Sequence, residues 1–244
     1  MVAPRRCIIS VLLAILLFAG IPGCGSPSEN RESAWREEVS ASLKSLEDQD
    51  PYRYRTHLET WTGVSGQSVY GDEKGEGSFL GGDFSVSIVR TSPAGEENLV
   101  LASQNGESYL QEGGAWRPIA MQEAPSPLYD PEFLLKLIAS YGSVSLEGEE
   151  ERSGVACRRY LLQLGSDKAR EALPQRAWSY FSSLDYELNC RVWIGDVSAP
   201  PVSLRLEVAG SDPQESLQRY RIVFTMDPYD LGSPDIQPTP PVEG

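Results

Sequence analysis

The chain has 244 residues, with 21 basic and 35 acidic side chains and a net charge of −14. That sign excludes a nucleic-acid groove and electrostatic docking onto anionic lipid, since both need clustered Lys and Arg. His57 is the only histidine, so no HExxH motif, histidine zinc site or two-histidine iron triad can be built, and a Ser-His-Asp triad would rest on a strand residue with no serine elbow beside it. No serine stands three residues before Lys44, Lys74, Lys136 or Lys168, which removes the SxxK hydrolases. The expectation is therefore a noncatalytic protein without metal or cofactor; a carboxylate-pair hydrolase is the remaining catalytic alternative.

In chain order, Arg5 and Arg6 precede an apolar run from Ile8 to Ala19, too short to span a bilayer and of the length of a secretory h-region. It ends at Ile21-Pro22-Gly23-Cys24. A small residue before a cysteine at that boundary looks like a bacterial lipobox, although Pro22 is unusual in its slot. The likeness implies a signal peptide over 1–23, diacylation of Cys24 as the first mature residue, and an extracytoplasmic protein held to the membrane by its acyl anchor, in the outer membrane if the host has one. The alternatives are an ordinary secretory peptide with an incidental cysteine and a plain membrane anchor. Cleavage before Cys24 leaves 19 of the 21 basic residues against all 35 acidic ones, a net charge of −16. Cys157 and Cys190 remain as an even pair in an oxidising compartment and are expected to form a disulfide, with two free buried thiols as the alternative.

Residues 24–32 are polar and aperiodic and read as a flexible tether. The domain is expected over 33–231. Trp35, Val39, Leu43 and Leu46 recur at helical spacing. From Tyr52 the period becomes two, the pattern of a half-buried strand, followed by a short strand at 67–70 and a glycine-rich acidic turn at 71–77. That turn lacks the ending of a phosphate loop and the ligand spacing of an EF-hand. Strands carrying Phe84, Val86 and Ile88, then Leu99 and Leu101, then Tyr109 and Trp116 follow, with Asn105-Gly106 as a tight hairpin, so the first half is an antiparallel meander.

Asp130-Pro131-Glu132 is a strong helix start, and Phe133, Leu134, Leu137 and Ile138 make that helix mostly apolar. The second half repeats the strand logic at 144–146, 155–164, 186–194, 202–208 and 220–226, with an acidic turn at 147–151 and a helix over 167–181 that Pro174 should end or kink. A Pro-rich tail over 232–244 is read as extended or disordered.

This order of elements, with Gly154-Val155-Ala156-Cys157-Arg158-Arg159-Tyr160, Val192-Trp193-Ile194 and Tyr220-Arg221-Ile222, resembles the LolA and LppX type of envelope lipoproteins. The resemblance covers residues 33–238. It implies an α+β fold: a strongly bent antiparallel β-sheet, an unclosed half-barrel, with helices covering the concave face over an apolar cavity. It also implies binding of a lipid, acyl chain or lipoprotein, for local carriage or sensing. The candidate lipid-binding positions are Phe84, Val86, Ile88, Leu99, Leu101, Leu204, Leu206, Ile222 and Phe224 on the sheet and Leu134, Leu137 and Ile138 as the lid. The rival expectation is a noncatalytic envelope scaffold or signalling module whose core is filled by its own side chains.

Overall fold

The computed structural model describes residues 27–64, 67–93, 95–173, 184–211 and 219–239. The expected signal peptide, the apolar run Ile8 to Ala19 and Cys24 lie outside the described residues, as do residues 174–181 of the helix expected over 167–181.

Eleven described strands form one antiparallel sheet: β1 Tyr52–Val64, β2 Gln67–Leu80, β3 Asp83–Ser92, β4 Gly95–Gln104, β5 Glu107–Glu112, β6 Ala115–Ile119, β7 Ser143–Arg152, β8 Val155–Leu164, β9 Asp185–Ile194, β10 Ser203–Ser211 and β11 Arg219–Tyr229. The spatial order is β6-β5-β4-β3-β2-β1-β11-β10-β9-β8-β7. Two meanders thus meet at the centre, where β1 pairs with β11 from Arg53 opposite Tyr229 to Gly63 opposite Arg219. The edges β6 and β7 do not pair, so the bent sheet is the unclosed half-barrel of an α+β fold.

The chain travels from one edge to the other across the concave face. After β6 come 3-10 turns at Met121–Glu123 and Pro127–Tyr129, then helix α2, Pro131–Ala139. Asp130 caps α2 by accepting from the backbone N–H groups of Glu132 and Phe133 at 2.9 and 3.2 Å, with Pro131 in the first turn where its missing N–H costs nothing. Helix α1, Pro27–Asp48, lies beside it, buries Val39, Leu43 and Leu46, and is pinned to β8 by Glu38 and Arg158, 2.6 Å apart. Helix α3, Ser166–Ala172, stops one residue before Leu173-Pro174, because the residue ahead of a proline is driven out of the helical region.

Four expectations are corrected. Helix α1 begins at Pro27, so residues 27–32 of the expected tether are helical; proline is tolerated in a first turn, and Glu32 suits the positive end of the helix dipole. The expected glycine-rich turn at 71–77 is the middle of β2, a continuous strand from Gln67 to Leu80. Its glycines face inward opposite bulky β1 neighbours. A Cβ on Gly71 would stand 2.6 Å from Thr60 Oγ1, and one on Gly77 would stand 2.6 Å from the Tyr54 ring. The acidic stretch 147–151 is likewise strand, part of β7, bent by a bulge at Gly148, where φ is 153°. Finally, the tail does not leave the domain at 231. Thr239 N–H donates to Ser85 Oγ at 2.8 Å on the convex face, and Ile236 is buried.

Candidate functional site

Alternation along each strand sorts the side chains onto two faces. The convex face is a cross-strand ladder of charge and aromatic rings. Glu147 pairs with Arg159 and Arg191, each at 2.9 Å, and Glu207 pairs with Arg221 at 2.7 Å. The Arg221 guanidinium then sits 5.0 Å over the Trp61 ring. His57 is bonded to Asp72 on this face through one ring nitrogen.

The concave face is apolar. All twelve candidate lipid-binding residues come together in one continuous core: Phe84, Val86 and Ile88 from β3, Leu99 and Leu101 from β4, Leu204 and Leu206 from β10, Ile222 and Phe224 from β11, roofed by Leu134, Leu137 and Ile138 of α2. None is more than 3% exposed. Roofing follows from the amphipathic spacing of α2, which turns its apolar stripe down onto the sheet.

A buried carboxylate breaks this wall, and the sequence reading placed it in a turn. Glu73 faces inward from β2, where Arg90 of β3 reaches it at 2.8 Å and Tyr129, in the turn before α2, donates to it at 2.8 Å. Arg90 also reaches Glu97 at 3.2 Å. Burial and then the Glu73 charge hold the Tyr129 phenol well above its ordinary range. Burial alone would lower the Arg90 guanidinium, but the facing carboxylates outweigh it and the net direction is upward. The signal that was available is the period-two run Gly71, Glu73, Gly75, Gly77: three side-chain-free positions and one acid on the same face of a strand. Further along β1 on the same face, the buried hydroxyls of Thr56 and Tyr52 have no hydrogen-bond partner among the described residues.

A separate cleft of about 450 Å³ opens where α1 ends, between α2 and the β2–β3 turn. Glu47, Asp50, Glu132 and Lys136 line it over a floor of Phe79 and Leu135, with Gly81 and Gly82 as its wall. None of the twelve candidate residues contributes. Asp50 is already engaged by the Gly81 N–H at 2.6 Å and Glu132 by Lys136 at 2.5 Å.

The expected disulfide is not formed: Cys157 and Cys190 are free thiols. Strands β8 and β9 do pair antiparallel, but Cys190 stands opposite Leu162. Cys157 is therefore an odd number of residues away along β8, on the other face of the sheet and roughly 16 Å along the strand at about 3.3 Å per residue. A disulfide needs Cα atoms within about 7 Å. Cys190 sits in the apolar core, where burial pushes its thiol up to about 12, and Cys157 is raised by burial on the convex side.

A bent, unclosed antiparallel sheet whose apolar concave face is roofed by helices defines the LolA/LppX-like fold. The solved structure of LprF from Mycobacterium bovis has this arrangement: 14% of residues are identical, 86% of this chain and 98% of that one are covered, and the TM-score is 0.51. Lipoprotein LppX from Mycobacterium tuberculosis is similar over 83% of this chain and 97% of its own, at 12% identity and a TM-score of 0.47. The fold assignment rests on the first of these. No family model matches the sequence, and no curated protein matches it.

Proposed function

We propose that this is a lipid-anchored extracytoplasmic lipoprotein, acylated on Cys24, that binds a lipid, an acyl chain or the acyl part of a lipoprotein against the concave face, for local carriage or sensing. The observation that carries the reading is the gathering of the twelve apolar side chains onto one wall beneath a helical roof. An aliphatic ligand gains roughly 25 cal/mol for each Å² removed from water, so such a wall needs no charged clamp. The roof is slight: nine residues of α2, seven of α3 and the lower side of α1 cover an eleven-stranded sheet. Noncatalytic action fits this reading, because the one buried carboxylate facing the wall from β2, Glu73, is engaged by Arg90 and Tyr129.

A second reading, a scaffold or signalling module with a filled core, is favoured by the near-complete burial of the same twelve residues. Titration with a fluorescent fatty acid separates the two. Saturable binding, displaced by unlabelled fatty acid, supports the carrier or sensor; no saturable signal at any ligand concentration below micelle formation supports the filled scaffold.

A further inference from the structure

We propose that the end of the half-barrel bearing the β1–β2 tip faces the bilayer, and that Trp61, Val69 and Tyr70 sit in its interface. The proposal rests on the anchor at Cys24 described above and adds to it an orientation and a contact surface.

The strand registers define two ends of the sheet. Val64, Gln67, Arg219, Ser211, Asp185, Leu164 and Ser143 share one end, and Tyr52, Leu80, Tyr229, Ser203, Ile194 and Arg152 share the other. Helix α1 runs between them. Arg36 donates to the Gly142 carbonyl at 2.8 Å, next to the start of β7, whereas Ser42 and Ser45 donate to Ala199 and Ser198 in the β9–β10 connection at the opposite end. Its amino terminus therefore points out of the first end, and the nine residues from Arg36 back to Pro27 carry it ~14 Å further at 1.5 Å per residue. Between Pro27 and Cys24 only Gly25 and Ser26 intervene, a reach of about 10 Å even when fully extended. The acyl chains thus enter the membrane within a few nanometres of the tip end, with little slack to turn the domain over.

The tip itself carries the side chains of an interfacial contact. The pairing of β2 with β3 begins at Asp72, opposite Thr91, so residues Gln67 to Gly71 run beyond β3 with β1 as their strand partner. Here each face of the hairpin exposes an apolar or aromatic side chain beside the polar Gln67, Ser68 and Thr62, although neither face is core. On the convex side Trp61 stands directly opposite Tyr70, with ring centroids 5.3 Å apart; on the concave side Val69 stands opposite Thr62 and is 63% exposed. Tyr70 donates its hydroxyl to Glu59 at 3.3 Å and is exposed. Trp and Tyr, with an apolar body and a polar edge, are the residues that settle at headgroup depth, where small polar neighbours such as Ser68 and Thr62 are also accommodated. Charge does not drive the contact, because Glu96, Asp185 and Glu187 are exposed at the same end. The partner surface is accordingly a zwitterionic bilayer.

The test compares two labels on the full chain reconstituted in phosphatidylcholine vesicles. A single environment-sensitive dye is placed at Val69→Cys or at Leu231→Cys, the latter 39% exposed at the far end, with the two native thiols buried. The Val69 label should show a blue-shifted emission and several-fold slower quenching by an aqueous quencher, and the Leu231 label should behave as in water. As a label-free check, brominated acyl chains should quench the unmodified chain more than the Trp61→Phe chain. Equal behaviour of the two labels, or a more protected Leu231 label, on vesicle-bound protein overturns the orientation alone. Recovery of the full chain without any attachment to membrane overturns the anchor and the orientation together.

Discussion

Tyr129 donates a 2.8 Å hydrogen bond to Glu73, so the segment that crosses the concave face is tied by its side chain to the middle of β2. The same residue accepts at its carbonyl from the Tyr54 hydroxyl at 3.3 Å and packs edge-on against Phe224, 5.6 Å between ring centroids. The roof over the apolar wall is therefore fixed at one buried polar point. Tyr129→Phe keeps the ring packing and leaves a Glu73 oxygen without its donor, which costs about 1–3 kcal/mol. Urea unfolding should show a lower midpoint with an unchanged slope; an unchanged midpoint would mean the bond contributes nothing.

The inward glycines of β2 predict intolerance at exposed-looking positions. In Gly77→Ala the new Cβ meets the Tyr54 ring at 2.6 Å and the Ser85 carbonyl oxygen at 2.8 Å, and the second of these is backbone that cannot swing away. Overpacking of this kind costs about 1–3 kcal/mol. Ser87→Ala, on the outer side of β3, should stay within about 0.5 kcal/mol of the parent. Thermal or denaturant melts of the pair check the contrast, and equal stability of the two variants would contradict the inward packing.

Alkaline pH should unfold the protein from within. Burial raises the phenols of Tyr52, Tyr54 and Tyr129, and holds Tyr186 and Cys190 at about 12, against ordinary values of 10.0 and 9.0. The neutral forms are favoured in the folded state, so their contribution is fully present below the unfolded values. It is lost as pH rises from about 9 toward the folded values, because only the unfolded chain then ionises freely. The thermal midpoint should hold between pH 7 and about 9 and fall steadily above that, with tyrosinate absorbance appearing together with loss of structure. A midpoint that is flat to about pH 11 would contradict this assignment.

The thiols give a direct check of strand register. Native protein should react slowly with a thiol reagent, since Cys157 and Cys190 are buried and raised above the ordinary thiol value. Denaturation without reductant should expose both for alkylation. A disulfide-linked peptide pair under those conditions would contradict the pairing of Cys190 with Leu162.

Much of this architecture was legible in the residues, and the errors share one cause. The α2 start at Asp130-Pro131 is encoded locally, and so is the Asn105-Gly106 hairpin, whose residues take φ of 52° and 81°. The alternation of Phe84, Val86 and Ile88 assigns a face without knowledge of any neighbour. By contrast, the glycines of β2 resemble a turn until Tyr54, Thr56 and Thr60 are seen to occupy the space in front of them. Glu147 and Glu150 resemble a solvated turn until Arg159 and Arg191 are placed beside them. The Cys157–Cys190 expectation failed on strand register, which no local signal fixes. The inward Glu73 was missed for the same reason: its partners Arg90 and Tyr129 are 17 and 56 residues away.

The measurement that bears most directly on the central claim is native mass spectrometry of the full chain released from membranes in a mild detergent, with lipid extraction of the same sample. A noncovalent adduct of lipid or fatty-acid mass, beyond the covalent acylation of Cys24 and lost on denaturation, is the expected result. A single species carrying its covalent anchor and nothing else, which also takes up no added fatty acid, would contradict lipid binding and leave the concave face as a filled core.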